Sequence, residues 1–239
     1  MKRGAIVLVA LVLAGCASKS PSNAKTGSST QGGFSPAQFV KTDIDRIAEA
    51  HERELQVSLR LLTEKLYRRN PKEWKKGGWA KAEDPVQRLF GQQHNWHFPE
   101  LENRFGADAI QLALKPDYGG DRVFAFSAGM GGMLLTAFNN RYEFYMTDDL
   151  DAQRLYNAAR NIEIAAWKLA NDRGADGQLL LLSNEAGPIP NLSFEREFGK
   201  MIGNLDILST TIADKGNRTV VKVVQTMATA VFLPVAGLK

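Results

Sequence analysis

Apolar residues recur at every third or fourth position along most of the chain, the spacing that places them on one face of an α-helix. Polar and charged residues fill the positions between them. The pattern predicts an all-α fold class, with a single helical domain of about five main helices and a few short ones. The main helices are expected over residues 36–69, 122–138, 149–172, 193–215 and 218–238, and the short ones over 84–90, 99–105 and 106–114.

Residues that favour helix termini mark several of these boundaries. Ser35 is followed by a proline, which is typical of a helix start because serine caps the first turn and proline fits the first helical position. A second proline, after Asn70, is expected to end that helix. Asp121 is expected to cap the helix that follows it, and Thr147 with the two acids after it to start the next one.

Residues 122–138 form the most apolar segment after residue 16, since sixteen of the seventeen carry no formal charge. A helix of this length reaches about 25 Å, which is short for a bilayer crossing, so a central core helix is expected. Gly129 lies four residues after Ala125, and Gly132 four after Ala128, which predicts close approach of a neighbouring helix. A phosphate loop is the weaker alternative, because the Gly-Lys-Ser/Thr ending is absent.

The C-terminal segment, residues 218–238, is also apolar apart from Lys222, Gln225 and several threonines. Because Lys222 lies inside the run and Pro234 interrupts its end, a core helix is expected in preference to a second membrane anchor. Contact between this segment and a membrane stays an open alternative.

The N-terminal segment has the order of features found in an export signal. Two cations precede an apolar run from Ala5 to Leu13, and Leu13-Ala14-Gly15 leads directly to Cys16, the only cysteine. This arrangement resembles the lipobox of bacterial lipoprotein precursors. The resemblance implies cleavage before Cys16, a diacylglycerol thioether on its sulfur, acylation of the new amino group with chains such as palmitate, and an outer-membrane address. The alternatives are an incidental cysteine after an ordinary signal peptide and a transmembrane anchor, for which the run is too short.

Three regions are therefore expected: a signal peptide (1–15), a lipidated cysteine with a flexible tether (16–34) and a helical domain (35–239). Residues 17–33 contain no large apolar side chain and cannot bury enough surface to fold. Without the two signal-peptide cations, 28 of the 30 basic residues remain against 26 acidic ones, a net charge of +2. This weak charge argues against nucleic acid as a partner.

The strongest local charge feature is the basic segment, residues 64–81, in which cations alternate with aromatic rings. Such a segment suits an anionic surface, because cations meet phosphate groups while indole rings lie at the headgroup boundary. A solvated helix end with inward-packed tryptophans is the plainer interpretation and is favoured. The candidate contact residues are Lys65, Arg68, Arg69, Lys72, Trp74, Lys75, Lys76, Trp79 and Lys81.

The predicted helix over 149–172 has an unusually dense set of polar residues. Arg160 and Glu163 are three positions apart, which allows them to pair on one helical face. A buried polar network between helices is one interpretation, and it would fix helix register more than perform chemistry. The candidate members are Arg154, Asn157, Arg160, Asn161 and Glu163.

His51 begins a pattern that looks like the His-Glu-x-x-His motif of zinc proteases. Leu55 stands where the second histidine would be needed, so the two-ligand helical face is absent. A half-buried, hydrogen-bonded histidine is therefore favoured over a metal ligand or a general base.

His94 and His97 lie in a short connection between predicted helices. With Glu100 or Glu102 nearby they could meet one metal ion, but no further ligand cluster completes the site. A loop packed through Trp96 and Phe98 is favoured instead. No metal or cofactor is predicted.

Together these features predict a non-enzymatic lipoprotein of the cell envelope, attached through the acyl chains on Cys16 to the inner leaflet of the outer membrane and facing the periplasm. Its expected role is that of a scaffold, adaptor or assembly accessory with an envelope protein as partner. Two alternatives stay open. One is a cell-wall or lipid enzyme that uses His51 with Glu54, or the pair His94 and His97. The other is a binder of anionic lipid or lipopolysaccharide through residues 64–81.

Overall fold

Seven α-helices make up the fold over residues 41–146, 148–185 and 190–236, the part of the chain that the computed structural model describes. Cys16, the predicted signal peptide and the predicted tether lie outside these residues. The described ranges contain no strand, so the predicted all-α class is confirmed. In chain order the helices are α1 (Asp43–Arg69), α2 (Pro71–Lys76), α3 (Glu83–Phe90), α4 (Ala107–Ala113), α5 (Arg122–Ala137), α6 (Ala152–Asn171) and α7 (Ser193–Lys215).

α1 is the longest helix, and its 27 residues extend over about 40 Å. A capping box fixes its start, because the Thr42 side chain accepts a hydrogen bond from the Asp45 N–H (3.3 Å) while the Asp45 carboxylate accepts one from the Thr42 N–H (2.6 Å). Ser35 lies outside the described residues, and the helix begins at Asp43 rather than at position 36. The predicted end at Asn70 is confirmed.

α5 lies at the centre of the fold, as predicted, and every residue from Arg122 to Ala137 is buried. Its first turn is capped by Asp121, whose carboxylate accepts a hydrogen bond from the Phe124 N–H (2.9 Å). α1, α2, α3, α4 and α6 all pack against it, and α7 packs against both α1 and α6. The described residues belong to one compact unit, residues 36–239.

Two glycines of α5 let its neighbours reach the helix backbone. A Cβ atom at Gly129 would lie 2.7 Å from the backbone nitrogen of Ile110 in α4. A Cβ atom at Gly131 would overlap the indole ring of Trp96. Neither position tolerates a side chain without displacement of a neighbour. The predicted close approach of another helix is therefore confirmed at Gly129, and the structure adds an aromatic ring at Gly131.

Arg122, a buried residue at the start of α5, joins this helix to α2 and α4. Its guanidinium makes the contacts with the end of α4. It donates hydrogen bonds to the carbonyl oxygens of Ala113 (2.6 Å), Lys115 (2.6 Å) and Pro116 (3.0 Å), which satisfies acceptors at the end of α4. The Arg122 backbone N–H donates to the Glu73 carboxylate of α2 (2.9 Å). These bonds fix α2 and α4 against the central helix.

Two other helix predictions need correction. α6 begins at Ala152 rather than at 149, because the Asp151 side chain accepts hydrogen bonds from the first turn. The helix expected over 99–105 is only a 3-10 turn at Pro99–Leu101, since Glu102 and Asn103 adopt positive φ angles of 54° and 59° that end it.

The predicted fifth main helix over 218–238 is wrong. Residues 218–236 are described, and apart from a 3-10 turn at Met227–Thr229 they form no helix. The segment is rich in valine and threonine, whose branching at Cβ lowers helix propensity, and it contains Pro234. Val224, an apolar residue of this segment, is 97% exposed, so the segment does not pack into the core there. The main helices are therefore α1, α5, α6 and α7.

Side-chain amides of α6 bind the backbone of this C-terminal segment, which lacks the hydrogen bonds of an α-helix. Gln153 bonds both backbone groups of Val221, accepting from its N–H (2.7 Å) and donating to its carbonyl oxygen (3.1 Å). Asn161 does the same with Leu233 (2.6 and 2.8 Å). Amide groups of α6 thus satisfy backbone groups that a helix would have paired internally.

Among the described helices, none combines the length and the apolar character needed to cross a bilayer.

We predict that Gly129→Ala destabilises the protein by about 1–3 kcal/mol, because the added methyl group must displace the backbone of α4. The matched control is Gly199→Ala in α7, where a Cβ atom would meet nothing within 4 Å. That change should stabilise the protein by about 0.5–1 kcal/mol, because alanine favours the helix. Urea unfolding measures both. Equal effects of the two substitutions would contradict the close packing on α5.

Candidate functional site

An open cleft lies between one face of α1 and the C-terminal end of α3. Its volume is about 490 Å³, which is within the range of sites for small ligands. We call it the Glu52 cleft, after the one carboxylate in its lining. The lining residues are Glu52, Arg53, Gln56, Val57 and Arg60 from α1, Leu89, Phe90, Gln92, Gln93 and Trp96 from α3 and the loop after it, and Tyr142 from the connection between α5 and α6.

Trp96 forms the inner wall of the cleft and has an unusual backbone conformation. Its φ angle is 58°, a left-handed value that bulky residues rarely adopt, while its side chain is only 2% exposed. Three contacts hold it there. The indole lies on Gly131, its Nε1–H donates to the Tyr142 hydroxyl (2.9 Å), and the Trp96 backbone N–H donates to Nδ1 of His94 (2.9 Å).

Tyr142 continues this hydrogen-bonded chain across the cleft. Its hydroxyl accepts from Trp96 and donates to the His94 carbonyl oxygen (2.9 Å). Burial raises the pKa of Tyr142, so the hydroxyl keeps its proton at physiological pH. Phe90 packs edge-on against Trp96 at a centroid distance of 5.5 Å. Three aromatic rings of fixed orientation therefore border the cleft.

Glu52 is the group of the cleft lining that titrates near neutral pH. Its side chain lies on the buried side of α1, and the residue is 6% exposed. Burial raises its pKa to about 7, although a hydrogen bond from Gln56 and the charge of Arg53 act in the opposite direction. Near neutral pH this carboxyl is therefore divided between its acid and its ionised form. It can donate or accept a hydrogen bond, or pair with a cation that enters the cleft.

His94 has a structural role beside the cleft. Its Nε2–H donates to the Leu89 carbonyl oxygen (2.7 Å), and its Nδ1 accepts from Trp96. Burial lowers the pKa of His94, which keeps the ring neutral. Both ring nitrogens are occupied, and Trp96 and Phe98 are buried. The predicted packed loop is confirmed.

The other two histidines also make local contacts. The His97 ring stacks on Phe105 at 4.2 Å, and its Nδ1 lies 2.9 Å from the Asn95 carbonyl oxygen. Nδ1 of His51 lies 2.8 Å from Oδ1 of Asn204, so the prediction of a half-buried, hydrogen-bonded histidine is confirmed. Within residues 41–146, 148–185 and 190–236, no three His, Cys, Asp or Glu side chains form a possible metal site.

The basic segment divides into paired and solvent-facing cations. Trp79 packs against Phe124 at 5.7 Å and Trp74 is half-buried, so neither ring projects freely. The solvent-facing cations are Arg68, Lys72, Lys75 and Lys81. The paired cations are Lys65 with Glu197 (2.8 Å), Arg69 with Glu185 (2.9 Å) and Lys76 with Glu73 (2.7 Å).

The polar set of α6 does not form one network. Asn157 and Asn161 are buried and bind the C-terminal segment. Arg160 bonds both carboxylate oxygens of Asp206 in α7 (2.9 and 2.7 Å) and pairs with Glu163 (3.1 Å). Arg154 instead donates to the Asn139 side chain (2.9 Å). The Arg160 contact is the part that links two helices, and it suits the register role expected from the sequence.

The Glu52 cleft was not predicted from the sequence. One signal was present, because Glu52 falls four residues after Ala48 and three before Leu55, both on the apolar stripe of α1. An acid at such a position is a candidate for a raised pKa. The positive φ of Trp96 and the arrival of Tyr142 from a distant loop have no comparable sequence signal.

Comparison of the chain with protein-family models, curated proteins and solved structures finds no match.

We predict that Glu52→Gln changes how stability depends on pH. Below about pH 4.5 the carboxyl is protonated in both the folded and the unfolded chain. As the pH rises towards about 7, the unfolded chain loses this proton before the folded chain does, so the wild-type protein loses stability. Relative to the variant, this loss should reach roughly 3 kcal/mol by about pH 8.

Urea unfolding of both proteins across this pH range measures the difference. Burial raises the pKa of Asp121 to about 6. Asp121 titrates in both proteins, so its contribution cancels in the difference between their stabilities. Parallel stability curves for the wild-type protein and Glu52→Gln would show that Glu52 has an ordinary pKa.

Proposed function

We propose that the chain is a lipid-anchored, non-enzymatic protein of the cell envelope, whose helical body holds a partner molecule at the periplasmic face of the outer membrane. The observation that supports this most strongly is the sequence Leu13-Ala14-Gly15-Cys16 after an apolar run. Acyl chains on Cys16 contribute about 0.8 kcal/mol for each buried methylene, so two or three chains attach the body durably.

The helical body offers a recognition site in the Glu52 cleft. Fixed aromatic rings, a buried carboxyl and three glutamine amides are the features of a site that binds by shape and hydrogen bonding. His94, the histidine nearest the cleft, is engaged at both ring nitrogens, which disfavours the enzyme alternative based on His94 and His97.

We predict that Cys16→Ser abolishes membrane attachment, because the thioether requires the thiol. Metabolic labelling with an alkyne fatty acid should mark the wild-type protein and leave Cys16→Ser unlabelled and outside the membrane fraction. Ser20→Ala, four residues further on, is the matched control and should be labelled as the wild type is. Equal labelling of the two variants would overturn the anchor.

Partner binding is tested in the same cells with a photoactivatable residue at Val57, which lines the cleft and is 60% exposed. Ile207 in α7 is 61% exposed and lies outside the cleft lining, which makes it the matched control. A photoactivatable residue at Val57 should give a defined crosslinked adduct, and one at Ile207 should give none. The Val57 adduct should be lost when Cys16→Ser is also present. Identical adducts from both sites, or none from Val57, would contradict the proposal.

A second candidate function is contact with an anionic surface. Arg68, Lys72, Lys75 and Lys81 are solvent-facing, and over the described part of the chain they form no ion pair with a carboxylate. Four such cations, at about 1 kcal/mol each, would give salt-sensitive binding to anionic lipid.

We predict that replacing these four cations by glutamine weakens binding to phosphatidylglycerol vesicles at least tenfold at low salt. The Cys16→Ser chain is used, so that acyl chains do not contribute. A control with Lys115, Arg173, Arg196 and Arg218 replaced loses the same net charge from other exposed positions. Equal losses in the two quadruple variants would indicate a general charge effect and exclude this surface.

A further inference from the structure

We propose that the Glu52 cleft binds a peptide-like ligand that has both an ammonium group and a carboxylate, the ammonium group against Glu52 and the carboxylate against Arg53. The inference rests on the proposed function in one respect, namely that the cleft is where the helical body recognises another molecule.

The inner part of the cleft is suited to a cation. Glu52 is nearly buried, so its ionised form has little water around it, and an ammonium group would supply the missing counter-charge. The rings of Phe90, Trp96 and Tyr142 line the same space, and aromatic faces attract cations.

The rim of the cleft is suited to an anion. Arg53 is exposed, and it lies close enough to Glu52 to lower the pKa of that carboxyl. Arg60, the other cation of the lining, is already paired with Glu64 (3.2 Å). In the residues that the structure describes, no carboxylate forms an ion pair with Arg53, so its guanidinium can donate two hydrogen bonds to the carboxylate of a ligand.

The remaining polar groups of the cleft suit peptide bonds. Gln56, Gln92 and Gln93 each present an amide with donors and an acceptor, the groups that pair with a peptide N–H and carbonyl. Val57 adds an exposed apolar surface at the edge. A ligand that carries an ammonium group, a carboxylate and amide bonds therefore matches the groups of this lining.

The charge arrangement fixes the pH dependence of binding. Besides Glu52, the charged groups of the lining are Arg53 and Arg60, both from α1. The phenol of Tyr142 stays protonated. The part of the lining that comes from α3 and the loop after it contains no charged residue. An ammonium ligand binds the ionised form of Glu52. Affinity should therefore rise as the pH rises through about 7, the pKa of this carboxyl.

The experiment uses the full-length protein in detergent micelles and titration calorimetry with the peptide N-acetyl-alanyl-lysine. It has a side-chain ammonium group and a free carboxylate. Two comparison peptides lack one charge each. In one the ammonium group is acetylated, and in the other the carboxylate is amidated. The parent peptide should bind about tenfold more tightly at pH 8 than at pH 6, and each comparison peptide at least tenfold more weakly than the parent.

Glu52→Gln should weaken binding at least tenfold at pH 8 and remove the pH dependence. Arg53→Gln should weaken binding of the parent peptide and leave binding of the amidated peptide unchanged. Asp43→Asn and Arg46→Gln, exposed positions at the start of the same helix and outside the cleft lining, should bind as the wild type does.

Absence of binding to the wild-type protein would overturn the proposal, as would equal affinity for all three peptides. The peptide series on the wild-type protein keeps the test valid even if a variant misfolds. Failure of lipid labelling at Cys16 would refute the anchor and leave this binding result intact, so the two proposals can fail separately.

Discussion

The structure depends on close packing against the backbone of α5. All sixteen residues of this helix are buried, and other elements reach its backbone where glycine leaves no side chain. Each glycine costs about 1 kcal/mol in helix propensity, which is small beside the roughly 1.5–3 kcal/mol gained by burying one large apolar side chain. The glycines are therefore explained by the contacts they permit, since those contacts position α4 and the loop that contains Trp96.

The Glu52 cleft follows from this packing. Because Gly131 leaves room for the indole, Trp96 can turn inward at a positive φ angle and bond both His94 and Tyr142. His94 in turn bonds the Leu89 carbonyl oxygen at the end of α3. One chain of contacts thus runs from the core helix to the wall of the cleft. A wall held by such contacts binds a ligand with a smaller loss of conformational entropy.

The sequence predicted the parts of the fold that depend on local patterns. The apolar run of α5 and its Asp121 cap identify this helix because neighbours in sequence supply the signal. The C-terminal segment was predicted wrongly, because its backbone is satisfied by Gln153 and Asn161 of α6, far away in sequence. The Glu52 cleft was missed for a related reason, since Trp96 and Tyr142, which line it together with Glu52, come from other parts of the chain.

Hydrogen exchange under native conditions tests most directly whether α5 is the element on which the rest depends. Because all of α5 is buried and five other helices pack against it, its amide hydrogens should exchange only when the whole protein unfolds. Their exchange free energies should therefore equal the global unfolding free energy, while amides of residues 218–236 exchange through local opening. Exchange of α5 amides at lower free energies than those of α1 or α7 would contradict the account.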